Sequence, residues 1–181
     1  PLAVNQDGQL FIGLADERVV RLDSNSGYSL FADFLPQTML FGLDNALYTV
    51  DFEVGQEARI LRITAQGESE VWLTEIAGDP LGIGELNLAL DTDQGLYVFK
   101  QRGRDLYRVG YDGQGECVTN LLGLGVVGES GGPVAFGASP VTGMIYYIPH
   151  GPYRFYEIDL LWNAREIGGG LVGDPSSMVV S

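Results

Sequence analysis

Three acid-bearing steps recur in the chain at almost constant spacing: Gly84-Glu85, Gly128-Glu129 and Gly173-Asp174. Their carboxylates stand 44 and 45 residues apart, and each comes just before an apolar, strand-like run. Hard oxygen donors gathered from several loops are what Ca²⁺ or Mg²⁺ requires, and Asn87 could add an amide carbonyl to the set. The expected chemistry is therefore a divalent-cation site built from Glu85, Glu129, Asp174 and Asn87. The same acids also suit the polar loops of an acidic chain, which carries 24 Asp and Glu against 10 Lys and Arg.

A second group is mixed in charge. Lys100, Arg102 and Arg104 cluster after one strand, and Pro149-His150-Gly151 follows another, with Tyr147 and Tyr153 beside it. Together with Asp16, Glu17, Glu53 and Glu57 these residues make a rim that fits a polar small molecule or a protein partner. His150 is the single histidine, so a nucleophile-base pair would have to be built around it. The stretch Gly128-Glu-Ser130-Gly-Gly-Pro133 is similar to a serine-protease motif and also fits G-x-S-x-G. In the chymotrypsin-like order the histidine precedes the serine, whereas here it follows. A hydrolase elbow needs a helix after Ser130, and Pro133 with a strand stands there instead. Gly123-Leu-Gly-Val-Val-Gly128 matches a dinucleotide fingerprint by letters, but no helix or βαβ pattern surrounds it.

What must position these residues is a repeat. Leu10-Phe-Ile-Gly-Leu14 leads to Arg18-Val-Val-Arg-Leu-Asp23, and Leu47-Tyr-Thr-Val-Asp51 leads to Arg59-Ile-Leu-Arg-Ile63. Leu96-Tyr-Val-Phe99 leads to Asp105-Leu-Tyr-Arg-Val109, and Ile145-Tyr-Tyr-Ile148 leads to Arg154-Phe-Tyr-Glu-Ile-Asp159. The phrases start 37, 49 and 49 residues apart, and polar and apolar residues alternate with a period near two. A strand-only repeat of this length predicts an all-β fold, a β-propeller of four-stranded antiparallel blades. The expected domain is 1–181, with units at about 1–34, 35–76, 77–125 and 126–170, and 171–181 opening a fifth. Four blades plus one strand allow a small closed four-bladed ring, but favour part of a larger ring of six to eight blades, completed by further chain or by association with a partner. The loops ahead of each inner strand would then share one channel mouth and gather the three acids. Arg21, Arg62 and Arg108 recur as structural residues of the blade, although Glu157 takes that place in the fourth unit. Asp159 to Arg165 is the one helical candidate, a single turn at most.

Composition narrows the classes. A formal charge of −14 repels phosphate backbones and anionic lipid, so nucleic acid is excluded as a partner. No run approaches the roughly 20 apolar residues of a membrane span. Cys117 cannot form an intrachain bridge and reads as a small core residue of an apolar strand. Without disulfides the compartment stays open, with a lean toward an extracytoplasmic or secreted setting. Pro1 leads directly into a strand, as in a processed or trimmed piece.

The blade phrase resembles the six-bladed superfamily that holds the NHL repeats, the gluconolactonase-like (SMP-30) proteins and the YWTD propellers. Leu47-Tyr-Thr-Val-Asp51 with Ile60-Leu-Arg62 is similar to a YWTD blade. Ala135-Phe-Gly-Ala-Ser-Pro140 with Ile145-Tyr-Tyr147 resembles a blade of the gluconolactonase-like and Yellow proteins. That resemblance implies a metal-dependent lactonase or hydrolase. The gluconolactonase-like pattern has Asn-Gly where Val134-Ala135 stand here. The leading expectation is therefore a non-catalytic propeller that recognises a ligand or partner at the mouth, with the lactonase as its alternative.

Overall fold

A computed structural model describes residues 1–22, 27–34, 36–51, 56–83, 86–91, 93, 95–100, 104–121, 123–124, 133–139, 141–149 and 154–169. Every regular element among them is a strand. The strands form four antiparallel sheets of four, each laid out in chain order. The first sheet holds β1 (Leu2–Val4), β2 (Leu10–Leu14), β3 (Arg18–Leu22) and β4 (Tyr28–Asp33). The second holds β5 (Met39–Phe41), β6 (Leu47–Asp51), β7 (Arg59–Ile63) and β8 (Ser69–Leu73), followed by a small ribbon of β9 (Glu75–Ile76) and β10 (Asp79–Pro80). The third holds β11 (Leu86–Asp91), β12 (Gly95–Lys100), β13 (Asp105–Gly110) and β14 (Gly115–Asn120). The fourth holds β15 (Pro133–Ala138), β16 (Ile145–Pro149), β17 (Phe155–Ile158) and β18 (Ala164–Gly168). The all-β blade architecture expected from the repeat is the one observed.

Turn chemistry sets these hairpins. Asn5 Oδ1 accepts the backbone N–H of Asp7 (3.1 Å) and of Gln9 (2.8 Å), which folds the chain back between β1 and β2. Between β17 and β18, Asp159 Oδ1 accepts the N–H groups of Leu161 (2.9 Å) and Asn163 (2.8 Å). Trp162 has a φ of 62° there, so residues 159–163 make a hairpin turn and Ala164 and Arg165 open β18, in place of the helical turn expected over 159–165. A carboxylate that captures nearby N–H groups competes with the helical ladder, and here it wins.

One irregularity repeats. The third and fourth strands of every sheet slip register once, at Val19/Val20, Ile60/Leu61, Leu106/Tyr107 and Phe155/Tyr156. A bulge at this place strengthens the local right-handed twist of the outer strands. Cys117 lies on an outermost strand, β14, and is exposed. It is not the core residue its apolar neighbours suggest, because β14 has no fifth strand beyond it in its sheet.

The chain divides into two compact units, 1–83 and 84–181. In the first, Ala3, Phe11, Val19 and Ala32 pack against Met39, Phe41, Leu47 and Ile63 of the second sheet. Phe11 sits at the centre, with ring centroids 4.8 Å from Phe31 and 4.7 Å from Phe41. In the second unit Ala89, Tyr97, Phe99 and Leu106 pack against Phe136, Ala138, Ile145 and Tyr147. Burial of such side chains contributes about 1.5–3 kcal/mol each, so these sheet-to-sheet layers dominate the stability of each unit.

The β9–β10 ribbon has no counterpart in the sequence pattern, since two-residue strands cannot show alternation. Ala77 (φ 54°) and Gly78 (φ 78°) form its turn, and Ile76 beside it is buried. Leu81 N–H donates to Thr74 C=O at 3.0 Å, and Ala58 N–H donates to Gly82 C=O at 2.8 Å. The ribbon is thereby tied to the β6–β7 connection.

Candidate functional site

Apart from the rim acids Asp16, Glu17, Glu53 and Glu57 of the first unit, the candidate ligand and metal residues fall in the second unit, where the third sheet shows how Asn87, Lys100 and Arg104 are held. Leu86 pairs with Lys100, Lys100 with Asp105, and Asp105 with Asn120, giving one row across the end of the sheet. Asn87 is in the next row, opposite Phe99, and is only partly buried. Asn120 Nδ2 donates to Asp105 Oδ1 at 2.7 Å, which fixes the outer half of the row. Lys100 Nζ stands 5.6 Å from the centroid of the Tyr107 ring, a cation–π distance. Arg104 has a φ of 55° and its C=O accepts Leu121 N–H at 3.0 Å, so the turn entering β13 is pinned.

Tyr147 belongs to the packed layer between the third and fourth sheets, 3% exposed, with its ring 5.7 Å from Phe99. Burial pushes its hydroxyl up to about 12, while the charge of Arg104 pulls in the opposite direction. The fold thus brings Arg104 within electrostatic reach of Tyr147. Asn87, Lys100, Arg104 and Tyr147 are the members of the candidate set whose surroundings are visible. Glu85, Glu129, Asp174, Arg102, His150 and Tyr153 lie outside the described residues. Among the described residues no group of three or more His, Cys, Asp or Glu is arranged to hold a metal ion.

The opposite end of the same sheets carries ionic clusters that sequence reasoning treated as simple blade structure. In the second sheet Arg62 donates to Asp44 through Nε (3.2 Å) and Nη2 (3.0 Å) and to Glu70 through Nη1 (3.1 Å). Tyr48 completes the group by donating its hydroxyl to Asp44 at 2.9 Å, and burial raises that hydroxyl above the ordinary phenol range. In the third sheet Arg108 reaches the buried Asp91 at 2.6 Å and the exposed Asp93 at 2.9 Å. Burial, reinforced by the charge of Asp91, pushes the Tyr97 hydroxyl up to about 12. An open pocket of about 460 Å³ lies over Asp91, Asp93, Arg108, Gln114 and Glu116.

The sign exchange at Glu157 is resolved by register. Arg62 faces Glu70 and Arg108 faces Glu116 across their outer strand pairs, while Glu157 faces Arg165. Arg165 Nη2 donates to Glu157 Oε1 at 2.6 Å, so the cross-strand ion pair persists with its charges interchanged. The reason lies in the preceding turn. The residue at the end of β11 is Asp91, whereas the residue after β15 is Ser139, which accepts from Val141 and Thr142 N–H (both 3.3 Å) and carries no charge. With no turn carboxylate to receive it, a cation on the third strand loses its main partner.

No family model matches the chain, and no curated protein matches it. Solved structures do. A gluconolactonase from Xanthomonas campestris superposes with a TM-score of 0.73 at 16% identity, covering 97% of this chain and 64% of that one. A calcium-binding protein, regucalcin, from Agrobacterium tumefaciens gives 0.66 at 16% identity, covering 93% and 58%. A virginiamycin B lyase from Staphylococcus aureus, solved with quinupristin, gives 0.63 at 14% identity, covering 92% and 54%. The chain therefore spans between half and two thirds of the length of these three propellers. What the chain shares with these structures is the fold of its four-stranded antiparallel blades.

Proposed function

We propose that this chain forms part of a propeller enzyme that opens a lactone or related ester with the help of a divalent cation. The observation that carries the reading is the superposition on a gluconolactonase over 97% of the chain, joined to the placement of Asn87, Lys100 and Arg104 at one end of the third sheet. The propellers that match include a gluconolactonase and a lyase, which favours the catalytic reading over pure recognition. The matching calcium-binding protein supports Ca²⁺ as the metal.

In this reading Glu85, Glu129 and Asp174, with the amide oxygen of Asn87, would hold the ion. Such a donor set is all hard oxygen, which fits Ca²⁺ or Mg²⁺ and not a soft metal. The bound ion would supply positive charge that polarises the substrate carbonyl. Lys100 and Arg104, and Arg102 between them in sequence, would supply positive charge that orients the carbonyl oxygen as it gains negative charge. Tyr147, held protonated well above neutral pH, stays neutral in the packed layer between the third and fourth sheets. His150 and Tyr153 would add polar contacts to the substrate in this reading.

Two measurements separate the parts of this reading. Titration calorimetry with Ca²⁺ and Mg²⁺ is expected to show saturable heat that Glu129→Gln removes. A screen of lactones and esters with added metal is expected to show turnover that the same substitution lowers at least tenfold, about 1.4 kcal/mol in barrier. Heat without turnover leaves only a cation-binding propeller, and neither signal removes the proposal.

A further inference from the structure

Arginine in this chain is as a rule matched with acid. Arg18, Arg59, Arg62, Arg108, Arg154 and Arg165 each hold a carboxylate, on Asp16, Asp51, Asp44, Asp91, Glu166 and Glu157 respectively. Arg104 holds none among the described residues, although the chain has 24 acidic side chains for 10 basic ones. The adjacent acid, Asp105, is engaged by Asn120 instead. The backbone at Arg104 is left-handed, with a φ of 55°, a conformation that glycine adopts freely and arginine only under strain. The residue is partly buried, so its side chain is not a freely solvated surface charge.

Tyr147 shows the same contrast. The hydroxyl of Tyr48 ends on Asp44 at 2.9 Å, that of Tyr97 on Asp91 and that of Tyr156 on Arg154. A buried tyrosine ordinarily finds such a partner. Tyr147 is 3% exposed, yet its hydroxyl has no hydrogen-bond partner among the described residues. The two unmatched groups belong to one neighbourhood. Leu121 N–H pins the Arg104 carbonyl at 3.0 Å, and the Leu121 side chain lies in the same packed layer as Phe99 and Tyr147. The charge of Arg104 reaches the Tyr147 hydroxyl, which burial keeps protonated. A guanidinium and a phenolic O–H, both donors without an acceptor, are complementary to an oxyanion.

We propose that Arg104 and Tyr147 form the seat for a carboxylate carried by the ligand of this rim. The inference rests on the lactonase reading above and narrows its substrate to a lactone or ester that bears a carboxylate group. The planar guanidinium fork matches the two oxygens of a carboxylate, and the Tyr147 hydroxyl donates to one of them. A guanidinium has more than one donor edge, so seating the carboxylate leaves its charge acting on the reacting carbonyl as well. Carboxylate is favoured over phosphate because a chain of formal charge −14 opposes a dianion more strongly than a monoanion. The strained backbone at Arg104 fits the same assignment, since such strain persists where the side chain is needed.

NMR titration of the full chain with tetrahydrofuran-2-carboxylate, its carboxamide and inorganic phosphate tests it. These probes cannot be ring-opened as lactones, so binding is read without turnover. The carboxylate is expected to bind at least tenfold tighter than the carboxamide, and tighter than phosphate. Arg104→Gly is expected to bring the carboxylate-to-carboxamide ratio near one while the melting temperature holds or rises, because glycine suits the left-handed backbone. Tyr147→Phe keeps the packed ring and is expected to lower the ratio at least threefold. No preference for the carboxylate, a preference that survives Arg104→Gly, or tighter binding of phosphate each overturns the proposal. A carboxylate preference without cation heat or turnover would uphold this seat and remove the lactonase. Turnover of neutral lactones without that preference would do the reverse.

Discussion

Glu157 and Arg165 show how much one charge depends on its neighbours. The pair is joined at 2.6 Å across β17 and β18, with Glu157 mostly covered and Arg165 largely in solvent. Replacing Glu157 by Arg places two cations opposite each other, and Ser139 offers no carboxylate to receive either. The single change should lower stability by up to about 1 kcal/mol, the range of partly exposed pairs. Adding Arg165→Glu should recover most of the loss, because it restores the arrangement that Arg62 and Glu70 already use. A double-mutant cycle by chemical denaturation checks this, and purely additive losses would contradict it. The recurrence of Arg21, Arg62 and Arg108 was legible from spacing, whereas the reason for Glu157 was not. Spacing places a residue on a strand, but only register tells which residue of the next strand it faces.

At the scale of the strand and turn, alternation and turn residues reveal most of the sixteen blade strands among the described residues, although β6 and β12, buried on both faces, read as continuous apolar runs. Three features escape that reading. The ribbon of β9 and β10 is too short to alternate, the 159–163 turn mimics a helix start, and the exposure of Cys117 on the outermost strand β14 leaves no mark in its apolar neighbours. The repeated bulge between third and fourth strands is likewise silent in the sequence, because an extra residue leaves no compositional mark. Gly67, in the turn between β7 and β8, illustrates a demand set by contact between sheets. It has a φ of 86°, and a Cβ there would fall inside the van der Waals shell of the Phe31 carbonyl oxygen on β4. Gly67→Ala should therefore cost at least about 2 kcal/mol, from left-handed strain together with the clash. For a chain of this size that corresponds to a drop of roughly 4–8 °C in melting temperature. An unchanged melting temperature would mean that the first and second sheets are not held together at this point.

The whole molecule is governed by its excess of acid, 24 acidic side chains against 10 basic ones. Self-repulsion at this charge opposes compaction, and added salt shortens its reach to about 8 Å at physiological strength. Melting temperature in a dilute, monomeric sample should rise between 10 and 300 mM NaCl, followed by circular dichroism; a flat or falling trend would show that local ion pairs outweigh the global field. Of the candidate site, the sequence made the periodic acids visible but not their surroundings, and the structure adds only the setting of Asn87, Lys100, Arg104 and Tyr147. The interchanged ion pair of the fourth sheet has a consequence for how such molecules can be rearranged. A turn, its neutral or acidic residue and the two charges on the following strands travel as a matched cassette. Grafting the β15–β16 turn alone onto the third sheet would strand Arg108 without Asp91, so a viable blade transplant must carry all of these positions together.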